Sequence, residues 1–276
     1  MGKVLTAEQI NRYQQKGFLA PIDVMSEDEA AGYAARLEEA EHRYPRALNA
    51  ENRNNAHLAF KFLDELSFHP VILDAVEDLL GADFSLWGSV LFVKEPGSNH
   101  FVSWHQDATY MGITPHNFLT PWLALSPSNK KTGCMTMIAG SHRERIFEHQ
   151  DSFDADNILT RGQQINDVDL DAAVDLILKP GQMSIHHAMT VHGSQPNRSA
   201  QRRIGYAIQG FMPGDARQTI GENYWLPVRG KCSHPQMIEL QHPDSDMLEA
   251  GQRQRELANQ NWANILYQGA EKTRAY

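Results

Sequence analysis

The sequence is poor in several features that would settle its class at once. Only two cysteines, Cys134 and Cys232, occur in 276 residues, so no disulfide framework supports the fold, and both are expected as reduced thiols. No apolar run approaches the ~20 residues needed to cross a bilayer. The opening MGKVLTAEQINRYQQKGF lacks the apolar stretch of a secretory signal. Its Met-Gly start with Thr6 fits a loose myristoylation pattern, yet the expectation is a cytoplasmic protein without membrane attachment. There is no block of five or more basic residues and the net charge is −9, which argues against nucleic acid as a partner, because phosphate binding needs clustered cations. The helical HExxH of many zinc hydrolases is also missing.

What is present divides by texture, within one expected domain over 1–276. Residues 1–82 read as helix-rich. Thr6 with Gln9, and Ser26 with Glu29, form capping-box patterns ahead of amphipathic stretches. Gly17 is placed to end the first helix, and Pro70 and Gly81 bracket a later one. From about 83 to 215 the chain becomes a series of short β-branched or aromatic runs bounded by Gly, Pro, Asn or Ser. Strands at this density, without regular intervening helices, predict an antiparallel barrel or sandwich. The polar segment from His142 to Ala173 is expected as a long excursion or lid over one mouth, and 216–276 as a substrate-side loop and tail.

The chemistry is concentrated in FVSWHQDATYMG. Residues i and i+2 of a strand share a face, so His105 and Asp107 project together, either as a ligand pair or as part of a surface turn. A third ligand is available from QMSIHHAMTVHGS, where His192 stands before Gly193 at an expected strand end. Two histidines and one carboxylate leave open coordination positions and suit non-haem Fe(II). Arg203, eleven residues after His192, is suited to grip a carboxylate through two hydrogen bonds. A metal at one end of a keto acid and an arginine at the other describe a 2-oxoglutarate site. A non-catalytic cupin-like metal-binding module or a metal-dependent hydrolase remains the alternative from another class.

The stretches LTAEQINRYQQKGFL, WHQD, PWLALSP, GCMTMIAGSH and KPGQMSIHHAMTVHGSQPNRSAQRRIG together resemble the phytanoyl-CoA dioxygenase family of Fe(II)/2-oxoglutarate oxygenases, from residue 5 to about 215. The resemblance implies a mostly-β double-stranded β-helix, or jelly roll, braced by N-terminal helices. It implies that His105, Asp107 and His192 hold iron, that Arg203 binds the distal carboxylate of 2-oxoglutarate, and that Ser194 assists that arginine. Gln106 and Trp122 would line the co-substrate pocket. Because the carboxylate position holds Asp107 rather than a small residue, hydroxylation is implied rather than halogenation. The reaction would consume O2, convert 2-oxoglutarate to succinate and CO2, and be stimulated by ascorbate.

Substrate residues are less marked. Thr109 and Tyr110 follow the ligand pair directly, and ENYWLPVRGKCSHP gathers Tyr224, Trp225, Arg229 and Lys231. Aromatic faces suit an ammonium group and cations suit a phosphonate or carboxylate. Lys94, in an apolar strand, needs a partner or an anionic ligand. WHQDATY, WLALSPS, the RGQ of TRGQQI and the later VRG are most similar to the branch that hydroxylates 2-aminoethylphosphonate or its N-trimethyl analogue at C1, in organophosphonate catabolism. Another small molecule, or an acyl-CoA, is the alternative within the family, and a monomer or homodimer is expected. Bland readings stand beside these. Trp87 and Phe92 are expected as core, His186 and His187 as core or supports of the ligands, His142 in a turn, and Arg202 in solvent.

Overall fold

A computed structural model describes residues 2–232 and 237–273. In chain order its elements are α1 (Ala7–Lys16), β1 (Phe18–Asp23), α2 (Glu27–Arg43), α3 (Lys61–Ser67), α4 (Pro70–Leu80), β2 (Phe84–Lys94), β3 (Val102–His105), β4 (Ile113–Thr114), β5 (Leu119–Ala124) and β6 (Met135–Ile138). There follow β7 (Gln150–Asp151), β8 (Gln163–Gln164), β9 (Ala173–Asp175), β10 (Gln182–His187), β11 (His192–Ser194), β12 (Arg203–Pro213), β13 (Arg217–Gln218), β14 (Asn223–Arg229), β15 (Met237–Glu239) and α5 (Glu249–Leu266). A seven-stranded sheet, β1-β10-β5-β12-β2-β14-β15, faces a four-stranded one, β3-β11-β6-β9. Nearly every pairing is antiparallel; β14 with β15 is the parallel exception. The two antiparallel sheets are the sandwich expected from the strand-dense middle of the chain, and their arrangement is the jelly roll that the family resemblance implied. No described helix is long and apolar enough to cross a membrane.

The N-terminal helices form where their caps dictate. Thr6 Oγ1 accepts from the Gln9 backbone N–H at 3.2 Å while Gln9 Oε1 accepts from the Thr6 N–H at 2.8 Å, and Ser26 with Glu29 repeats the reciprocal pair. Gly17 closes α1 with φ of +83°, and a Cβ there would lie 2.6 Å from Thr190 Oγ1. Its carbonyl accepts from the His187 N–H and the Thr190 hydroxyl, each at 2.8 Å. The α1 terminus thereby fastens the turn that leads into His192.

Three departures from the sequence reading have physical causes. QMSIHHAMTVHGS is not one strand. A turn at 188–191, closed by the Thr190 N–H on the His187 carbonyl at 2.8 Å, sends β10 into the large sheet and β11 into the small one. The apolar alternation runs through this break, so the pattern hides it. Strands β1 and β14, outside the expected 83–215 core, both join the large sheet. Arg202 is not free in solvent; it pairs with Glu41 at 2.7 Å and Glu95 at 3.0 Å. The segment ending in SHP has its residues 233–235 outside the described ones.

Helix α5 packs across the front of the barrel. Buried Arg255 donates to the carbonyls of Ala47 (2.6 Å), Asn52 (2.7 Å) and Asn54 (2.9 Å), holding the 47–54 segment against β2. Bonds from a charged donor are worth about 1.5–3 kcal/mol each and are not additive. Replacing Arg255 by Met should therefore lower stability by at least about 3 kcal/mol, read as a shift in the urea midpoint at unchanged slope. A loss below about 1 kcal/mol would show that the segment is held by packing alone.

Candidate active site

The two sheets meet at the strand ends where the ligand candidates lie. In the β11–β3 register His192 stands opposite His105, with ring centroids 4.1 Å apart. Strand β3 ends at His105, and Asp107 opens a short 3-10 turn that carries its carboxylate back toward the imidazoles. His105, Asp107 and His192 each offer one ligand atom, all within 4.8 Å of one another and all buried. Both rings are set for coordination. Nδ1 of His105 donates to the Ser103 carbonyl and Nδ1 of His192 to that of Thr190, each at 2.9 Å, which leaves both Nε2 lone pairs free. Burial, with His105 and His186 nearby, holds His192 well below the usual imidazole range, so it stays neutral. Burial alone would raise the Asp107 carboxyl, but the imidazoles of His105, His186 and His192 around it hold it well below its usual range. A carboxylate beside two imidazoles that each present Nε2 is a donor set that suits divalent iron.

These groups open on a cavity of about 460 Å3. Arg203 lines it, 1% exposed, with Nη1 donating to the Gly133 carbonyl at 2.8 Å and Nε without a partner among the described residues. Burial lowers the guanidinium to about 10, so it remains a cation with donors to spare. Its guanidinium carbon lies 5.3 Å from the Trp122 ring. Trp122 reaches this position across Gly205, where a Cβ would fall 1.8 Å from the ring. An orphaned buried cation next to three converging ligands fits a dicarboxylate that bridges metal and arginine.

The other expected residues sort unevenly. Ser194 lines the cavity, but its Oγ is bonded to Lys94 Nζ at 2.7 Å rather than to Arg203. Lys94 is fully buried, and its Nζ also donates to the carbonyls of Gln195 (2.6 Å) and Ser194 (3.3 Å), so its partners are backbone and hydroxyl rather than substrate. Gln106 lies at the cavity wall with its amide spent on the Met189 carbonyl (2.7 Å) and the Phe147 N–H (2.8 Å). Tyr110 faces the cavity, whereas Thr109 does not and turns its hydroxyl toward His149 at 3.4 Å. Trp225 is 0% exposed in the apolar cluster with Trp87 and Trp262, away from the cavity. Arg229 is consumed by Asp74 (2.7 Å) and Glu77 (2.6 Å), and it too is away from the cavity.

Several cavity residues carried no signal in the sequence. Trp262 of α5 stacks on Trp87 with centroids 4.0 Å apart, and both line the cavity with Leu266, Gln209 and Arg53. The 142–173 excursion supplies residues 155–160 and Gln163 to the wall. It is tied to β3 by the Ile165 N–H on the Trp104 carbonyl at 2.8 Å. Arg161 joins excursion to tail, donating to the Gln268 carbonyl at 3.1 Å while Tyr267 Oη donates to the Thr160 carbonyl at 3.1 Å. His186, expected in a supporting role, faces the cavity with Nε2 3.3 Å from Asp107 Oδ2.

One consequence concerns pH. Burial, reinforced by the Arg203 charge, lowers the Lys94 ammonium to about 6. Between pH 6 and the unfolded-state value of about 10.4 the unfolded chain then binds the extra proton, so this group makes stability rise with pH. The metal-free protein should gain stability on going from pH 6.5 to 8.5 in urea titrations, and Lys94→Met should flatten that gain. An equal gain in the variant would show that Lys94 is charged when folded.

Comparison with known proteins agrees with this geometry. The family profile described as Phytanoyl-CoA dioxygenase (PhyH) matches residues 13–205. A probable alpha-ketoglutarate-dependent hypophosphite dioxygenase of Stutzerimonas stutzeri is 32% identical over 193 residues, covering 67% of each chain. A probable phytanoyl-CoA dioxygenase of Caenorhabditis elegans is 22% identical over 226 residues, 72% of each. Among solved structures, the apo form of the non-heme monooxygenase ThoJ superposes with a TM-score of 0.83 at 30% identity, over 94% of this chain and 98% of that one. CytC3 with Fe(II) and alpha-ketoglutarate shares the fold at a TM-score of 0.64 and 20% identity, over 86% and 93%. The chain belongs to the phytanoyl-CoA dioxygenase family of Fe(II)- and 2-oxoglutarate-dependent dioxygenases.

Proposed function

We propose that this dioxygenase hydroxylates an unactivated C–H bond of a small phosphonate zwitterion, 2-aminoethylphosphonate or its N-trimethyl analogue, at C1. The observation that carries the reading is that Arg53 and an aromatic surface line the same cavity. Glu41 and Glu95 give their short contacts to Arg202, leaving Arg53 at 3.6 and 3.8 Å from them and its Nε without a partner among the described residues. Arg53 therefore replaces Arg229 and Lys94 as the cation for a phosphonate, and Trp87, Tyr110 and Trp262 offer ring faces for an ammonium group. The likeness to a probable hypophosphite dioxygenase supports a phosphorus oxyanion as the recognised group.

Iron held by His105, Asp107 and His192 would supply, with 2-oxoglutarate and dioxygen, the oxidant for hydroxylation as 2-oxoglutarate becomes succinate and carbon dioxide. The chain's own residues bind and orient. Arg203, beside the Trp122 ring, would hold the distal carboxylate of the co-substrate. Trp87, Trp262 and Leu266, which line the cavity, would keep bulk water from the reacting groups.

The test is succinate formation with Fe(II), ascorbate and 2-oxoglutarate across phosphonates, hypophosphite, betaines, amino acids and acyl-CoAs. Turnover should be highest with the two phosphonates. Arg53→Ala should raise their KM at least about tenfold with kcat little changed, the mark of lost uniform binding. Efficient turnover of a substrate without phosphorus, with none on either phosphonate, would overturn the reading. Separately, Arg203→Ala should weaken 2-oxoglutarate about 10- to 100-fold, corresponding to about 1.5–3 kcal/mol for a charge-assisted contact. An unchanged affinity would move that role to another cation.

A further inference from the structure

Asp107 is held unevenly. Its Oδ1 is the oxygen nearer the ligand imidazoles, 3.4 Å from His105 Nε2 and 3.9 Å from His192 Nε2. Its Oδ2 points the other way, to His186 Nε2 at 3.3 Å and to the Thr120 hydroxyl at 3.4 Å. The Thr120 oxygen in turn receives the Gly210 N–H at 3.4 Å, which directs the hydroxyl proton toward the carboxylate. His186 is 2% exposed, and its Nδ1 has no partner among the described residues. Among the described residues the one acceptor within reach of the ring is Asp107 Oδ2, opposite Nε2, which places the donating N–H on Nε2. His186 comes from β10 of the large sheet while the ligands come from β3, β11 and the turn after β3, so the bond also ties the carboxylate across the barrel.

We propose that His186 is a positioning residue that, with Thr120, occupies Oδ2 of Asp107 and so presents the metal with one carboxylate oxygen only. A carboxylate free to turn can bind an ion through both oxygens and take a position that co-substrate or dioxygen needs. Two donors on Oδ2 oppose that rotation and fix the direction of Oδ1, as supporting hydrogen bonds commonly do for metal-binding carboxylates. The proposal rests on reading Asp107 as a ligand and assigns His186 a task distinct from ligation.

The test uses Co(II) as an optical probe of the apoprotein, with thermal melting as the folding control. His186→Leu fills the space without a donor and should weaken Co(II) about 10- to 100-fold, with a changed visible band reporting altered coordination. His186→Gln keeps an N–H donor and should recover most of the affinity and the wild-type band shape. Binding and band unchanged in a folded His186→Leu protein would overturn the proposal, as would a Gln variant no better than Leu. Long-range 1H–15N correlation of histidine in the Zn(II) form of the unmutated protein tests it without any substitution. It should show the His186 proton on Nε2; a proton on Nδ1, or Nε2 bound to metal, would refute the assignment. Wild-type protein that binds no Co(II) would instead bring down the metal site itself.

Discussion

His192 and His105 stand opposite each other in the small sheet, and every feature of the site depends on that register. A slip of one residue in β11 would turn His192 to the other face and bring Gly193 into its place. The register is pinned from several sides. Strand β6 pairs with the far edge of β11, and Gly17 at the end of α1 takes the Thr190 hydroxyl and the His187 N–H. The Ser103 and Thr190 carbonyls then fix which nitrogen of each imidazole is left free for a metal. The cross-strand pair supplies two of the candidate ligands, the turn after β3 supplies the third, and Arg203 opens β12 of the opposite sheet.

Burial governs the electrostatics of this arrangement. It keeps His192 neutral and Arg203 short of partners while its hydrogen-bonded neighbours keep Asp107 ionised. Beside the anionic Asp107 the site therefore holds in Arg203 a buried cation that the carboxylate of a guest would satisfy. The other basic side chains nearby are satisfied internally: the Lys94 amine by Ser194 and Gln195, Arg161 by Asp151. The aromatic residues Trp87, Tyr110 and Trp262 line the same cavity as Arg53.

The sequence was most legible where chemistry is local. Capping boxes act over three residues, and the Thr6–Gln9 and Ser26–Glu29 pairs form as written. His105 and Asp107 are two residues apart, so their convergence needed only strand geometry, although a 3-10 turn rather than a strand delivers the aspartate. Long-range pairing was not legible. Arg229 looked free because its partner Glu77 lies 152 residues away, and Trp225 looked like a substrate ring although it is core. The histidine-rich stretch read as one strand because its alternation continues across the turn between the sheets. Trp262 sits in an ordinary amphipathic helix, and nothing in that helix announces that it reaches a cavity formed by β2 and the excursion.

The central claim is that three ligands and one arginine hold iron and 2-oxoglutarate together in this cavity. An anaerobic crystal structure of the protein with Fe(II) and 2-oxoglutarate tests it most directly. The account predicts iron on Nε2 of His105, Nε2 of His192 and Oδ1 of Asp107, with the distal carboxylate of 2-oxoglutarate on Arg203. Iron ligated by His186, or that carboxylate paired with Lys94 or Arg53 instead, would contradict it.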